Sequence, residues 1–185
     1  MFLIRKPTAS VIEAFLTRQR ASTFSYPEIG ATAGQLPTSY TIDENRIVIG
    51  SGLECFRAAI TRLRGWQMFQ VGWAEVFPSH APIRVGETVA VLFRHFGIWS
   101  LNACRIVYVF DEERSFGFAY GTLQDHAECG EERFSVEWSA EDDKVFYRIL
   151  AFSKPKQWQA RVARPLARML QKRFVRESKS AMTTF

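Results

Sequence analysis

No stretch of the sequence approaches the run of about eighteen apolar residues that a membrane-spanning helix needs. The N-terminal "MFLIRKPTAS" has only Phe2 to Ile4 before Arg5 and Lys6, so a secretory leader is absent from the pattern as well. Cysteine is scarce: Cys55, Cys104 and Cys129 are odd in number, far apart and never in a C-x-x-C. That excludes a disulfide framework and a thiolate zinc site. Histidine is equally sparse, with His80, His95 and His126 in no H-x-x-x-H spacing. A metal centre would need more ligands than this, so no metal and no cofactor is predicted. Taken together these absences predict a cytoplasmic protein with reduced thiols.

What is present is a core. The 185 residues are 47% hydrophobic and 14% aromatic, enough for one domain over 1–185. Residues 1–45 read as an N-terminal helix plus an irregular connection, and 46–185 as the body. Val11, Ile12, Phe15 and Leu16 follow Ser10 at helical spacing, with Glu13 placed to complete a capping box. "RIVIG" reads as a short strand and "SGLECFRAAITRLRGW" as a helix with Leu53, Phe56, Ile60 and Leu63 on one face. Gly50 and Gly52 between them tempt a phosphate-loop reading, but no Walker lysine follows and Cys55 stands where a dinucleotide fingerprint needs its third glycine. A tight turn with Ser51 and Glu54 as capping box is the simpler account.

From Gly72 to Ser153 six short strands follow one another with short connections, which predicts an antiparallel meander. The segment from Gln157 to Met182 then reads as one long amphipathic helix. Trp158, Val162, Leu166, Met169, Leu170 and Phe174 gather on its apolar side, and Arg161, Arg164, Arg168, Lys172 and Lys179 on a solvated side. Pro165 should kink or restart it. The order predicts an α+β fold in which a curved seven-stranded antiparallel sheet wraps the C-terminal helix, with an extra N-terminal helix.

The densest chemistry lies in "DHAECGEE", residues 125–132, between two strands. In "ERFSVEW", Glu132 shares parity with Phe134, Val136 and Trp138, so it should point inward, while Glu131 points the other way. An inward carboxylate needs a partner, for which Tyr120, Tyr108, Asn102, Arg105 and Arg148 are candidates. His126 and Glu128 lie in the connection at the sheet's end; with Glu131 they can brace the hairpin through local hydrogen bonds, or they can form a polar rim over a pocket. Cys129 beside His126 is too close in sequence for a working thiol–imidazole pair. The strand aromatics, Trp99 among them, exceed what a small core requires and leave room for a concave apolar interior. Trp99, Asn102, Tyr108, Tyr120, His126, Glu128 and Glu132 are therefore the candidate ligand-binding residues, and no residue is nominated as catalytic or metal-binding.

Three segments, "IGSG" at 49–52, "WSLNACRIVYV" at 99–109 and "FAYGTLQDHAECGEERF" at 118–134, resemble a bacterial and plant family of unknown function. The resemblance runs from about Tyr26 to Met182 and extends to "FSKP" at 152–155. That family is similar to the START and birch-pollen-allergen superfamily, which implies a helix-grip fold, often with a hydrophobic cavity. It also implies that His126, Glu128, Gly130, Glu131 and Glu132 form the family's distinctive polar cluster.

Three functions compete. Binding of a small hydrophobic or amphipathic molecule between sheet and C-terminal helix ranks first. Acid/base catalysis by Glu132, or by His126 with Glu128, ranks second, because no nucleophile–base–orienter set is readable. The third rests on charge: nine Lys/Arg against one Glu after Ser153, with fifteen basic and eighteen acidic residues before, allow docking on an anionic membrane. Nucleic acid is disfavoured, since no helix-turn-helix, zinc-finger or RRM pattern occurs.

Overall fold

A computed structural model describes residues 1–156 and 164–183. The chain runs β1 (Phe2–Leu3), α1 (Ala9–Gln19), β2 (Thr41–Ser51), α2 (Gly52–Arg64), β3 (Ala74–Phe77), β4 (Thr88–His95), β5 (Ile98–Glu112), β6 (Ser115–Thr122), β7 (Glu128–Trp138), β8 (Lys144–Pro155) and α3 (Arg164–Thr183). The sheet order is β2-β8-β7-β6-β5-β4-β3, antiparallel throughout, because consecutive strands from β3 to β8 pair as a meander and β8 returns beside β2. The fold is α+β helix-grip: the seven long strands curve around α3. An eighth strand, the two-residue β1, pairs with β5 and was not legible in "MFL". Among the described residues no helix is long and apolar enough to cross a membrane.

Alternation along the strands gives the sheet two apolar faces. The convex face is covered by α1, whose Ile12, Phe15 and Leu16 pack on Ala90, Leu92, Leu101 and Ala103. The concave face is closed by α2, through Phe56, Ala59 and Leu63, and by a 3₁₀ turn at Gln67–Phe69. Buried Phe174, Ser178 and Met182 repeat every fourth residue along α3, and the Ser178 hydroxyl meets the Tyr147 hydroxyl at 2.9 Å. Pro165 is the second residue of α3 as described, Arg164–Thr183.

Several local expectations are corrected. Thr8, not Ser10, caps α1, its hydroxyl accepting from the Val11 N–H at 3.4 Å, and Glu13 pairs with Arg20 instead. Ser51 precedes α2 but its side chain makes no cap bond, while Glu54 turns to Arg57. Gly52 holds φ +81°, a left-handed value that explains the glycine without a phosphate. β2 extends over Thr41–Ser51 rather than 46–50, since its full length pairs with β8. Leu53 is 39% exposed, leaving Phe56, Ile60 and Leu63, with Ala59, as the apolar stripe of α2. Met169 is 51% exposed and does not belong to the apolar side of α3. The expectations for Trp158, Arg161 and Val162, and for the side chains of Arg164 and Leu166, lie outside the described residues.

Candidate functional site

Between the concave face and α3 lies a cavity of about 770 Å³. Trp73, Phe93, Ile149, Leu170, Phe174 and Val175 make its apolar walls. Phe2 and Phe96, 70% and 78% exposed, mark where it meets solvent. Asp43 on β2, and Glu128 and Glu132 on β7, the strands either side of β8, bring carboxylates to it.

Glu132 does face inward, and register selects its partner. Tyr120 on β6 stands directly opposite, and its hydroxyl donates to Glu132 Oε2 at 2.8 Å. Burial pushes the Glu132 carboxyl up to about 7; the Tyr120 hydrogen bond opposes this, while the Glu128 and Asp43 carboxylates add to it. Tyr120 is pushed well above the usual phenol range, chiefly by burial and then by the Glu132 charge. The other candidate partners are engaged elsewhere. Arg105 donates to the carbonyls of Gln19 and Arg20, and Arg148 pairs with Glu44 at 2.6 Å. Asn102 lines the cavity from β5, its amide donating to Ser100 Oγ at 3.2 Å.

Glu128 begins β7 and is tied to α3: the Gln171 amide donates to both of its oxygens, at 3.0 and 2.8 Å. Burial raises its pKa, and the hydrogen bonds from Ser153 and Gln171 hold the rise down. His126 accepts the Glu128 N–H on Nδ1 at 3.0 Å. The same Nδ1 lies 3.0 Å from the Glu128 carbonyl, and burial pushes the imidazole pKa down to about 4, which favours the neutral ring. His126 thus braces the hairpin and also lines the cavity. Cys129 belongs to the convex cluster with Tyr26, Tyr40 and Phe152, and its thiol donates to the Lys154 carbonyl at 3.5 Å. All three cysteines are free. Among the described residues no three His, Cys, Asp or Glu side chains are grouped to hold a metal ion.

The structure places five of the seven candidate residues, Asn102, Tyr120, His126, Glu128 and Glu132, along one cavity. Two stand elsewhere. Trp99 has the opposite parity to Asn102, so it packs on the convex side with the α1 cluster, where Lys6 lies over its ring. Tyr108 has the parity of Asn102, but a bulge between Ile106 and Tyr108 inserts one residue and reverses the faces. Its hydroxyl therefore meets Thr32 on the convex side, at 2.7 Å.

Two features of this region went unread in the sequence. Glu131, 2% exposed, is a buried anchor on the convex face. It accepts from the Tyr26 hydroxyl at 2.7 Å, from the Gly30 and Thr32 N–H groups at 2.7 and 3.0 Å, and from the Thr32 hydroxyl. These bonds clamp the segment before β2 onto the sheet. A Cβ on Gly121 would collide with the Tyr26 ring, so the glycine of "FAYGTL" is what lets Tyr26 reach that carboxylate. The second is the basic side of α3. Arg168 makes a two-pronged pair with Asp43, Nη2 to Oδ1 at 2.7 Å, and Lys179 donates to Asn45 at 3.2 Å. With Lys172 they border the cavity rather than forming a purely solvated face.

Residues 25–181 match the family described as Domain of unknown function (DUF1990). The chain belongs to that family. Its relatives include a UPF0548 protein of Dictyostelium discoideum, 34% identical over 98% of this chain and 94% of the relative. Another from Deinococcus radiodurans is 38% identical over 95% and 94%. The UPF0548 protein At2g17695 of Arabidopsis thaliana is 32% identical over 77% and 72%. Among solved structures, hypothetical protein jhp0584 from Helicobacter pylori superposes with TM-score 0.55 at 9% identity, over 87% of this chain and 94% of that one. The di-domain ARO/CYC StfQ from the steffimycin biosynthetic pathway gives 0.53 at 8% identity, over 78% and 50%. Human STARD10 gives 0.43 at 10% identity over 94% and 80%, too low to carry an argument. These likenesses concern the fold alone.

Proposed function

We propose that this member of the DUF1990 family is a binding protein that holds a small hydrophobic or amphipathic molecule between its sheet and α3. The observation that carries the reading is the cavity of about 770 Å³, a size typical of small-molecule sites, with apolar walls and a few convergent polar groups. A merely structural interior would close over such a volume, since side chains there pack to crystal-like density. Native mass spectrometry and organic extraction of the purified chain test it. A reproducible small molecule released on denaturation is expected; a chain that carries nothing and takes up no apolar dye would overturn it.

A second reading rests on Glu132, a carboxyl near neutrality on the cavity wall. A group of that pKa can take and return a proton at physiological pH, as a general acid/base does. Carbon-detected NMR titration of Glu132 decides whether it has basis; an ordinary carboxylate midpoint removes it. Docking through α3 has less support, because Arg168 and Lys179 bond to β2 and Arg173 pairs with Glu177 at 2.8 Å.

A further inference from the structure

We propose that the cavity's ligand carries a cationic head, an ammonium group on an apolar body, seated against Glu132. This rests on the binding reading above and names the chemistry it would select.

Glu132 lies mid-strand on β7, between Tyr120 on β6 and Ala151 on β8, with its side chain on the cavity. The titratable groups that bear on it from each neighbouring element are Tyr120 on β6, Cys104 on β5, Tyr147 on β8, Glu128 on β7 and Asp43 on β2. Every one is an acid. Among the described residues no lysine or arginine bears on it. Among the described residues the cations that border the cavity stand on α3: Arg168 is paired with Asp43, Lys179 donates to the neutral amide of Asn45, Arg176 is 76% exposed beside Glu177, and Lys172 is exposed.

A carboxylate removed from bulk water without a counter-cation is costly, and it either keeps its proton or receives a positive charge. Here the space for that charge adjoins the carboxylate. The walls suit it too, because Trp73, Phe93, Tyr120 and Phe174 present aromatic rings to the same cavity, and ring faces attract cations. Trp73 already accepts one, the Arg173 guanidinium lying 4.8 Å from its ring centre. An anionic head would instead meet Glu128 and Glu132, Asp43 being paired with Arg168. A neutral hydroxyl could bond to Glu132 but would leave its charge uncompensated.

The test uses the full chain loaded with 1-N-phenylnaphthylamine and competed at pH 8 with dodecylamine, dodecanol and dodecanoate, all below micelle formation. Dodecylamine is expected to displace the dye at a roughly tenfold lower concentration than dodecanol, with dodecanoate weakest. Glu132→Gln should abolish the amine's advantage over the alcohol. A measurement on the unmutated chain needs no variant to fold: at pH 6.5, calorimetry in buffers of different ionisation heat should show proton release as the amine binds, because the ammonium drives Glu132 to ionise. Equal displacement by all three, or no proton release, overturns the cationic head while leaving cavity binding intact. Preference for dodecanoate overturns it in favour of the α3 cations. Failure of the dye itself to bind overturns the binding reading as well.

Discussion

Toward α2 the concave face is filled, and along the outer part of α3 it is not. On the filled side Trp66 stands 5.1 Å from Phe118 between ring centres, and Phe69 reaches Phe134 at 5.8 Å and Phe174 at 5.0 Å. The 3₁₀ turn that carries Phe69 is thus a plug between sheet and helix. Past it the sheet presents Asn102, Tyr120, Glu132 and Glu128, and the helix answers with Leu170, Gln171 and Val175 around open space. Both regions belong to one sheet with one alternation. The difference is that polar groups occupy inward positions on the hollow side, where dense apolar packing would leave them without partners.

The comparison can be broken first by truncation. Phe118→Ala, on the filled side, is expected to cost about 3–5 kcal/mol in denaturant titration, since the site cannot collapse around the loss. Leu170→Ala, on the hollow side, should cost about 1 kcal/mol or less, because many of the atoms it would lose contact with are already missing. Equal costs would mean that the two regions are packed alike.

Charge sharpens it next. Arg168→Asp places a third carboxylate beside Asp43 and Glu128 and removes a two-pronged pair, so a loss of about 2 kcal/mol is expected by thermal or chemical unfolding. A change within about 0.5 kcal/mol would return Arg168 to the solvated face that helical periodicity assigns it. Leu170→Asp, which a closed interior would punish by several kcal/mol, should be milder where the side chain borders a cavity.

Protonation adds a signed test. The folded Glu132 titrates near 7, above the ordinary carboxyl value of 4.5, so the native chain binds the proton more tightly than the unfolded one. Its contribution is favourable at low pH and is lost as pH rises from about 4.5 through 7. Glu132→Gln should therefore be more stable than the parent above pH 7, by on the order of 2 kcal/mol, with the gap closing below pH 5. A gap that widens in acid would place Glu132 in an ion pair instead.

Much of this was legible in residue spacing, and the exceptions have physical causes. The strand pattern located the six strands β3 to β8, β2 was read only as the short apolar run 46–50, and period-two parity turned Glu132 inward, with Tyr120 among its candidate partners. Tyr108 defeated the same rule because a bulge shifts parity by one residue and leaves no mark in composition. Trp99 was grouped by its aromatic character although its parity opposes that of Asn102. Glu131 was assigned to the face opposite Glu132, as found, but strand parity cannot announce that a segment about a hundred residues earlier will fold across that face and bind it. Arg168 read as solvated because helical periodicity sorts residues by side and not by what β2 brings to meet them.

If the hollow region is a binding site, Ala151→Phe should close it. Ala151 lies opposite Glu132 in register and lines the cavity, so a ring there fills space instead of forcing packed neighbours apart. One saturable site per chain for 1-N-phenylnaphthylamine is expected in the parent and should be lost in Ala151→Phe, while unfolding free energy changes by about 1 kcal/mol or less. Undiminished dye binding in a folded Ala151→Phe would contradict the account.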